Sequence, residues 1–118
     1  MSDLVSLAER VERGAEVKWL TADVDDLTRA LIGPSWTLYD WGFADDAIRK
    51  NSLDASVALL ERVLPGWFWS ADSRHDSEAY VYRADRDVGS FWGRSKKPAR
   101  AIVAAILRAL ATQEKRNG

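Results

Sequence analysis

The chain has 118 residues, a formal net charge of −1, one histidine and no cysteine. That length fits a single domain burying roughly two thirds of its unfolded surface, so no covalent or metal staple is required. Without cysteine there are no disulfides and no thiolate metal sites, and with one histidine the Cys/His ligand sets of structural zinc are missing. No apolar run approaches the roughly 20 residues of a membrane span, and Met1-Ser2-Asp3 does not read as a signal peptide. A cytoplasmic protein with no membrane partner is expected.

The small net charge hides an asymmetry. Residues 1–59 carry 11 acidic and 6 basic side chains, whereas residues 60–118 carry 7 and 11. An acidic face at one end and a basic face at the other follow from such a split, unless the two ends neutralise each other in the fold.

In chain order, Ser2 or Asp3 can cap a first helix whose apolar stripe is Leu4, Leu7 and Val11, with Gly14 as its stop. A second helix starts near Thr21 or Asp23, with Val24, Leu27 and Leu31 at the same spacing. Asp25 and Asp26 lie in its first turn, where the helix dipole favours negative charge. Gly33-Pro34 ends it. Residues 35–51 read as a loop around a short edge strand, because Trp36, Leu38 and Trp41 are interspersed with polar or small residues. Their aromatic rings are expected to pack the segment down.

From Ser52 to Leu110 the pattern is helix, three strands, helix. Ser52 caps a helix with Leu53, Val57, Leu60 and Leu64 as its stripe, and Pro65-Gly66 terminates it. The strand candidates are 67–71, 79–83 and 88–92, joined by short polar connectors, which implies an antiparallel meander. Trp67 and Trp69 fall on one face of the first strand and Phe68 on the other, while Val81 opposes Tyr80 and Tyr82. A sheet apolar on both faces calls for cover on both. The last helix opens at Pro98, suited to a first helical position, and runs to about Thr112. Ile102, Val103, Ile106, Leu107 and Leu110 form its stripe, and its alanines permit close approach to a neighbour. The fold expected is α+β in one domain, an α–β–α sandwich with a three- or four-stranded antiparallel sheet. Two helices precede the αβββα core at 52–112.

The runs 51–60 and 64–69, the last helix 98–110 and the opening 7–12 together resemble the phage ABA-sandwich domain family. That resemblance implies an α–β–α sandwich in a small phage or prophage protein of a bacterial host, with no established activity and no catalytic residues. The chain departs from the family before the last helix, where Lys96 and Lys97 stand in place of a small neutral residue and threonine. A second, local resemblance runs through those lysines. Ser95-Lys96-Lys97-Pro98-Ala99-Arg100 is similar to the signature opening the last helix of the double-stranded-RNA-binding domain. His75 occupies the place of that domain's minor-groove histidine, though the Gly-Pro before it is missing. Lysine ammoniums and amides at a helix N-terminus can hold phosphate, and A-form RNA is read largely by shape. His75, Arg94, Lys96, Lys97 and Arg100 are the candidate nucleic-acid contacts.

Catalytic chemistry finds little footing. Asp72, Ser73, His75, Asp76 and Ser77 hold the ingredients of a Ser–His–Asp relay, yet neighbours in one loop rarely face one another as a triad requires. Asp23, Asp25 and Asp26 lack the glycine and distal glutamate of an EF-hand, and no Gly-rich phosphate loop is present. The reading is a non-enzymatic protein with no cofactor and no small-molecule substrate. The leading expectation is that it binds a host protein or ribonucleoprotein, with inhibition of a defence complex such as a CRISPR effector as the role implied by family context. The acidic residues Asp23, Asp25, Asp26, Asp40, Asp45 and Asp46 would supply the contact, since charge complementarity steers association. Duplex-RNA binding is the alternative. A homo-oligomeric structural role, suggested by the six tryptophans, is the third.

Overall fold

A computed structural model describes residues 4–13, 18–72, 77–83 and 90–117. Five helices and three strands follow in the order α1 (Leu4–Glu12), α2 (Thr21–Ile32), α3 (Leu38–Arg49), α4 (Leu53–Val63), β1 (Phe68–Asp72), β2 (Ser77–Tyr82), β3 (Ser90–Ser95) and α5 (Pro98–Asn117). The strands form one antiparallel sheet in the order β1-β2-β3. The expected α+β class, with its three-stranded meander, is what the chain builds.

Helix α5 is the axis of the molecule. Ala101 to Leu107 are all buried, which a helix achieves only when packed on every side. The sheet covers one flank through β2 and β3, while α1 and α4 cover others. The alanines allow the close approach their size suggests. Gly93 on β3 lies so near the α5 backbone that an added Cβ would stand 2.0 Å from the Ala101 carbonyl oxygen. Asn51 adopts a left-handed conformation at φ 51°, tolerable for a short polar side chain, and its Oδ1 accepts from the Ala99 N–H at 3.3 Å. This linker residue thus caps the first turn of α5 across 48 positions of sequence.

Several expectations change, among them the end of α5, which runs on to Asn117 rather than stopping near Thr112. Residues 38–49 form a helix rather than a loop with a fourth strand. Thr37 and Asp40 make a reciprocal cap: the Asp40 N–H donates to Thr37 Oγ1, and the Thr37 N–H donates to Asp40 Oδ2. Ala44, Ala47 and Ile48 then recur on the buried side. This Thr-x-x-Asp signal outweighs the partial alternation of the tryptophans. In α4 the buried stripe is Ala55, Ser56, Leu59 and Leu60, continued by Leu64 at the C-cap, with Leu53 exposed. Small Ser56 faces the core because its hydroxyl is satisfied within the helix by the Leu53 carbonyl at 2.7 Å. Strands β1 and β3 are shifted toward their C-terminal ends relative to expectation, and β2 starts earlier, because Ser77 pairs with Ser95 and Ala79 with Gly93. Backbone pairing extends the ladder through residues whose side chains carry no apolar signal.

Helical cover is found on one face of the sheet. Ala79, Val81 and Gly93 turn inward onto α5 and are buried. Phe68, Tyr80, Tyr82 and Trp92 alternate with them and are exposed. The expected second layer over that face is not supplied by the described helices, because α1, α3 and α4 gather on α5 and on each other.

Candidate interaction surface

On the open sheet face, large apolar side chains from three successive strands meet solvent together. Phe68 is 51 % exposed, Tyr80 38 %, Tyr82 36 % and Trp92 50 %. Strand pairing sets them in two cross-strand pairs, Phe68 opposite Tyr82 and Tyr80 opposite Trp92. The Phe68 and Tyr82 rings stack with centroids 5.8 Å apart. Period-two alternation puts Glu78 and Arg94 on the same face, and they form an ion pair at 3.9 Å.

The rim beside β3 is held by a charged clamp. Glu12 on α1 accepts from Arg108 Nη1 at 2.7 Å and Nη2 at 2.6 Å. Its Oε2 also accepts from the Arg94 backbone N–H at 2.7 Å. Arg108 Nη1 donates to the Trp92 carbonyl at 2.8 Å, and the guanidinium carbon lies 4.7 Å from the Trp92 ring centroid. The bond from Glu12 raises the Arg108 pKa above its ordinary value, against an opposing effect of burial. A groove of about 300 Å³ opens here between Val5, Phe91, Trp92, Arg108 and Thr112. Nothing in the sequence announces this clamp, whose partners are 96 positions apart.

The acidic residues expected to form a contact face have internal partners. Asp23 takes the Leu20 N–H at 2.7 Å and Arg10 at 2.8 Å. Those two bonds, the backbone one foremost, hold its carboxyl below the usual carboxylate range. Asp25 accepts from the Trp41 indole at 2.7 Å. Asp40 is buried, accepts from Thr37 and faces Arg62 at 3.4 Å. Asp45 is bonded to Arg49, Asp46 to Lys50 at 3.2 Å, and Asp26 lies 3.9 Å from Arg29. Only Asp26 and Asp46 present much carboxylate to solvent, with side chains 70 % and 42 % exposed. The acidic excess of α2 and α3 is spent chiefly on capping and pairing.

The basic end is also partly committed. Arg100 is buried and its Nε donates to the Ile48 carbonyl at 3.0 Å. Burial lowers its pKa, and its Nη1 meets no partner among the described residues. A side chain so placed ties α5 to the end of α3 and cannot grip a phosphate on the surface, so it leaves the set of nucleic-acid contacts. Two amides at the start of α5 are also engaged: the Lys97 N–H donates to Ser95 Oγ at 3.2 Å, and the Ala99 N–H to Asn51. Lys96 is exposed and Lys97 half-buried, and Arg94 shares Glu78. His75 lies outside the described residues, as does most of the loop read for a catalytic relay.

Among the described residues no group of three or more His, Asp or Glu side chains could hold a metal ion. No described helix is long and apolar enough to cross a membrane. No family model, curated protein or solved structure matches the chain.

Proposed function

We propose that this chain is a non-enzymatic binding module whose contact surface is the open face of its sheet and whose partner is a protein. The observation that carries the reading is the aromatic set Phe68, Tyr80, Tyr82 and Trp92, exposed together on the face the helices leave uncovered. Contiguous apolar patches of this kind mark interaction sites, and aromatic side chains are enriched in protein interfaces. Charge favours a protein over a nucleic acid. Single-strand binders set aromatic platforms beside a cationic groove, whereas here the described cations beside the rings each face a carboxylate, Arg94 that of Glu78 and Arg108 that of Glu12. Two lysines at the start of α5 are a small footprint for duplex RNA, with Arg100 withdrawn into the core.

The resemblance to phage proteins supplies the setting: a host protein or ribonucleoprotein as partner, and inhibition of a defence complex as the outcome. Affinity capture from host cells, with wild type beside a Tyr80→Ser/Tyr82→Ser variant of unchanged circular dichroism, tests the contact. A partner held by the wild type and lost by the variant is the expected result. A partner held equally by both sinks the sheet face as the site. Fluorescence polarisation against duplex RNA, duplex DNA and single strands at two salt concentrations covers the other class. Salt-sensitive binding to duplex RNA that is lost in Lys96→Glu/Lys97→Glu moves the site to the basic loop.

A further inference from the structure

The two edges of the sheet are finished differently. At β3 the backbone is sealed by side chains: the Arg94 N–H is taken by Glu12 and the Trp92 carbonyl by Arg108, with α1 lying alongside. Along residues 68–71 of β1, no described side chain makes such a closure. All five residues, Phe68 to Asp72, are exposed. Among the described residues β1 pairs with β2 alone, and its backbone at residues 68–71 takes no bond from a side chain. Folded proteins usually blunt such an edge with lysine, proline, a bulge or a covering element. Residues 68–71, Phe-Trp-Ser-Ala, contain neither lysine nor proline, and the register with β2 runs through all five residues without a bulge.

The helical layer also stops short of this edge. Trp69 and Ala71 lie on the inward face, opposite Val81 and Ala79. Yet both are exposed, Trp69 by 37 %, because α5 sits under β2 and β3. Strand β1 therefore shows solvent an apolar side chain on each face and an open hydrogen-bonding edge between them.

We propose that β1 is the pairing edge for a second copy of this chain, joined antiparallel about a two-fold axis at Ser70 to give a continuous six-stranded sheet. Symmetry and side-chain period select that register. A two-fold normal to the sheet keeps inward residues opposite inward ones, so a one-residue slip is excluded. An axis at Ser70 is the one that pairs all five residues. It sets Trp69 opposite the partner copy's Ala71, large against small, on the inward face, at the flank that α5 does not reach. Phe68 meets the other copy's Asp72 at the outer ends. The two α5 helices then lie outside the central pair of strands, since each underlies β2 and β3, and adjacent strands are spaced by about 4.8 Å. This surface is the strand edge, which shares only Phe68 with the aromatic face assigned to a protein partner. Pairing here leaves Tyr80, Tyr82 and Trp92 open. Five paired residues make a small interface, so the dimer is reversible and concentration-dependent.

The absence of native cysteine provides a clean reporter. Directly opposed residues of antiparallel strands have Cα atoms about 4.5–5.5 Å apart, within disulfide reach. In a face-to-face stack the sheets would stand about 10 Å apart, which is out of reach. Ser70→Cys and, on the sealed edge, Ser90→Cys are compared under copper–phenanthroline oxidation, with sedimentation velocity of the wild type across a concentration series. The expected result is a wild-type monomer–dimer equilibrium, with Ser70→Cys forming a covalent dimer at least about tenfold faster than Ser90→Cys because proximity raises the effective thiol concentration. Ser70→Lys, which places two ammoniums across the axis, shifts the equilibrium to monomer. A wild type that sediments as monomer throughout overturns the proposal. So does a dimer in which the two cysteine variants cross-link at equal rates.

Discussion

Replacing Gly93 by alanine adds one methyl group where β3 crosses α5. That methyl would stand 2.0 Å from the Ala101 carbonyl oxygen and 2.9 Å from both the Ala101 carbonyl carbon and the Ala105 nitrogen. Non-bonded heavy atoms settle at about 3.5–4.0 Å, so strand and helix must part locally by more than about 1 Å. All three obstacles are backbone atoms of a regular helix, so no rotamer change relieves them. Retreat of α5 is opposed from behind, because residues 101–107 are buried throughout against α1, α4 and the sheet. Overpacking costs about 1–3 kcal/mol in typical cores, and backbone obstruction places this case at or above the upper end. Against a total stability of about 5–15 kcal/mol, Gly93→Ala should lose about 3 kcal/mol in urea unfolding followed by circular dichroism. Gly42→Ala is the control of opposite sign. It lies in α3 with nothing within 4 Å of the added Cβ, and alanine there should gain about 0.5–1 kcal/mol from helix propensity. A Gly93→Ala protein within about 0.5 kcal/mol of wild type, the range of an indifferent surface change, would refute the packing argument.

The clamp at Glu12 and Arg108 should act as one unit. Arg108→Gln leaves a mostly covered carboxylate with one backbone donor and should cost about 2–4 kcal/mol. In a double-mutant cycle with Glu12→Gln the two losses should be far from additive, and strict additivity would show that the pair is not coupled. Asp23 supplies a pH dependence. Its folded pKa lies below the usual carboxylate value, so its stabilising contribution is present above about pH 4 and is lost as pH falls through the folded value. The drop in urea midpoint between pH 6 and pH 3 should be smaller in Asp23→Asn than in wild type. An equal drop would remove Asp23 from the account. Trp41→Phe deletes the indole donor to Asp25 while keeping most of the ring, and should cost about 1–2 kcal/mol of unfolding free energy. A neutral result would show that water replaces the bond at no cost.

Local rules carry much of this chain. Helices α1, α2 and α5 are legible because their apolar residues recur at helical spacing, and Ser52, Pro65-Gly66 and Pro98 mark boundaries through backbone chemistry that acts within a few residues. The alternation of Val81 with Tyr80 and Tyr82 likewise reveals two faces of a strand. Helix α3 was equally local, since Thr37 and Asp40 form a capping pair. Its tryptophans, however, mimic a strand when read by alternation alone.

What only the tertiary structure decides is which of these surfaces are spent. The acids of α2 and α3 look like a docking face in sequence, yet folding brings Arg10, Trp41 and Arg62 to them across many residues and uses up their charge. Arg100 reads as a phosphate ligand by its neighbours. It is buried because the end of α3, with its Ile48 carbonyl, packs over it. Conversely, the open face of Tyr80 and Tyr82 and the unsealed edge of β1 depend on where α1 and α5 lie. That position follows from a glycine at 93 and a carboxylate at 12 meeting an arginine 96 positions away. Periodicity and capping act along the chain and can be read there. Burial, pairing and exposure arise from contacts between distant segments, and they exist only once the fold has formed.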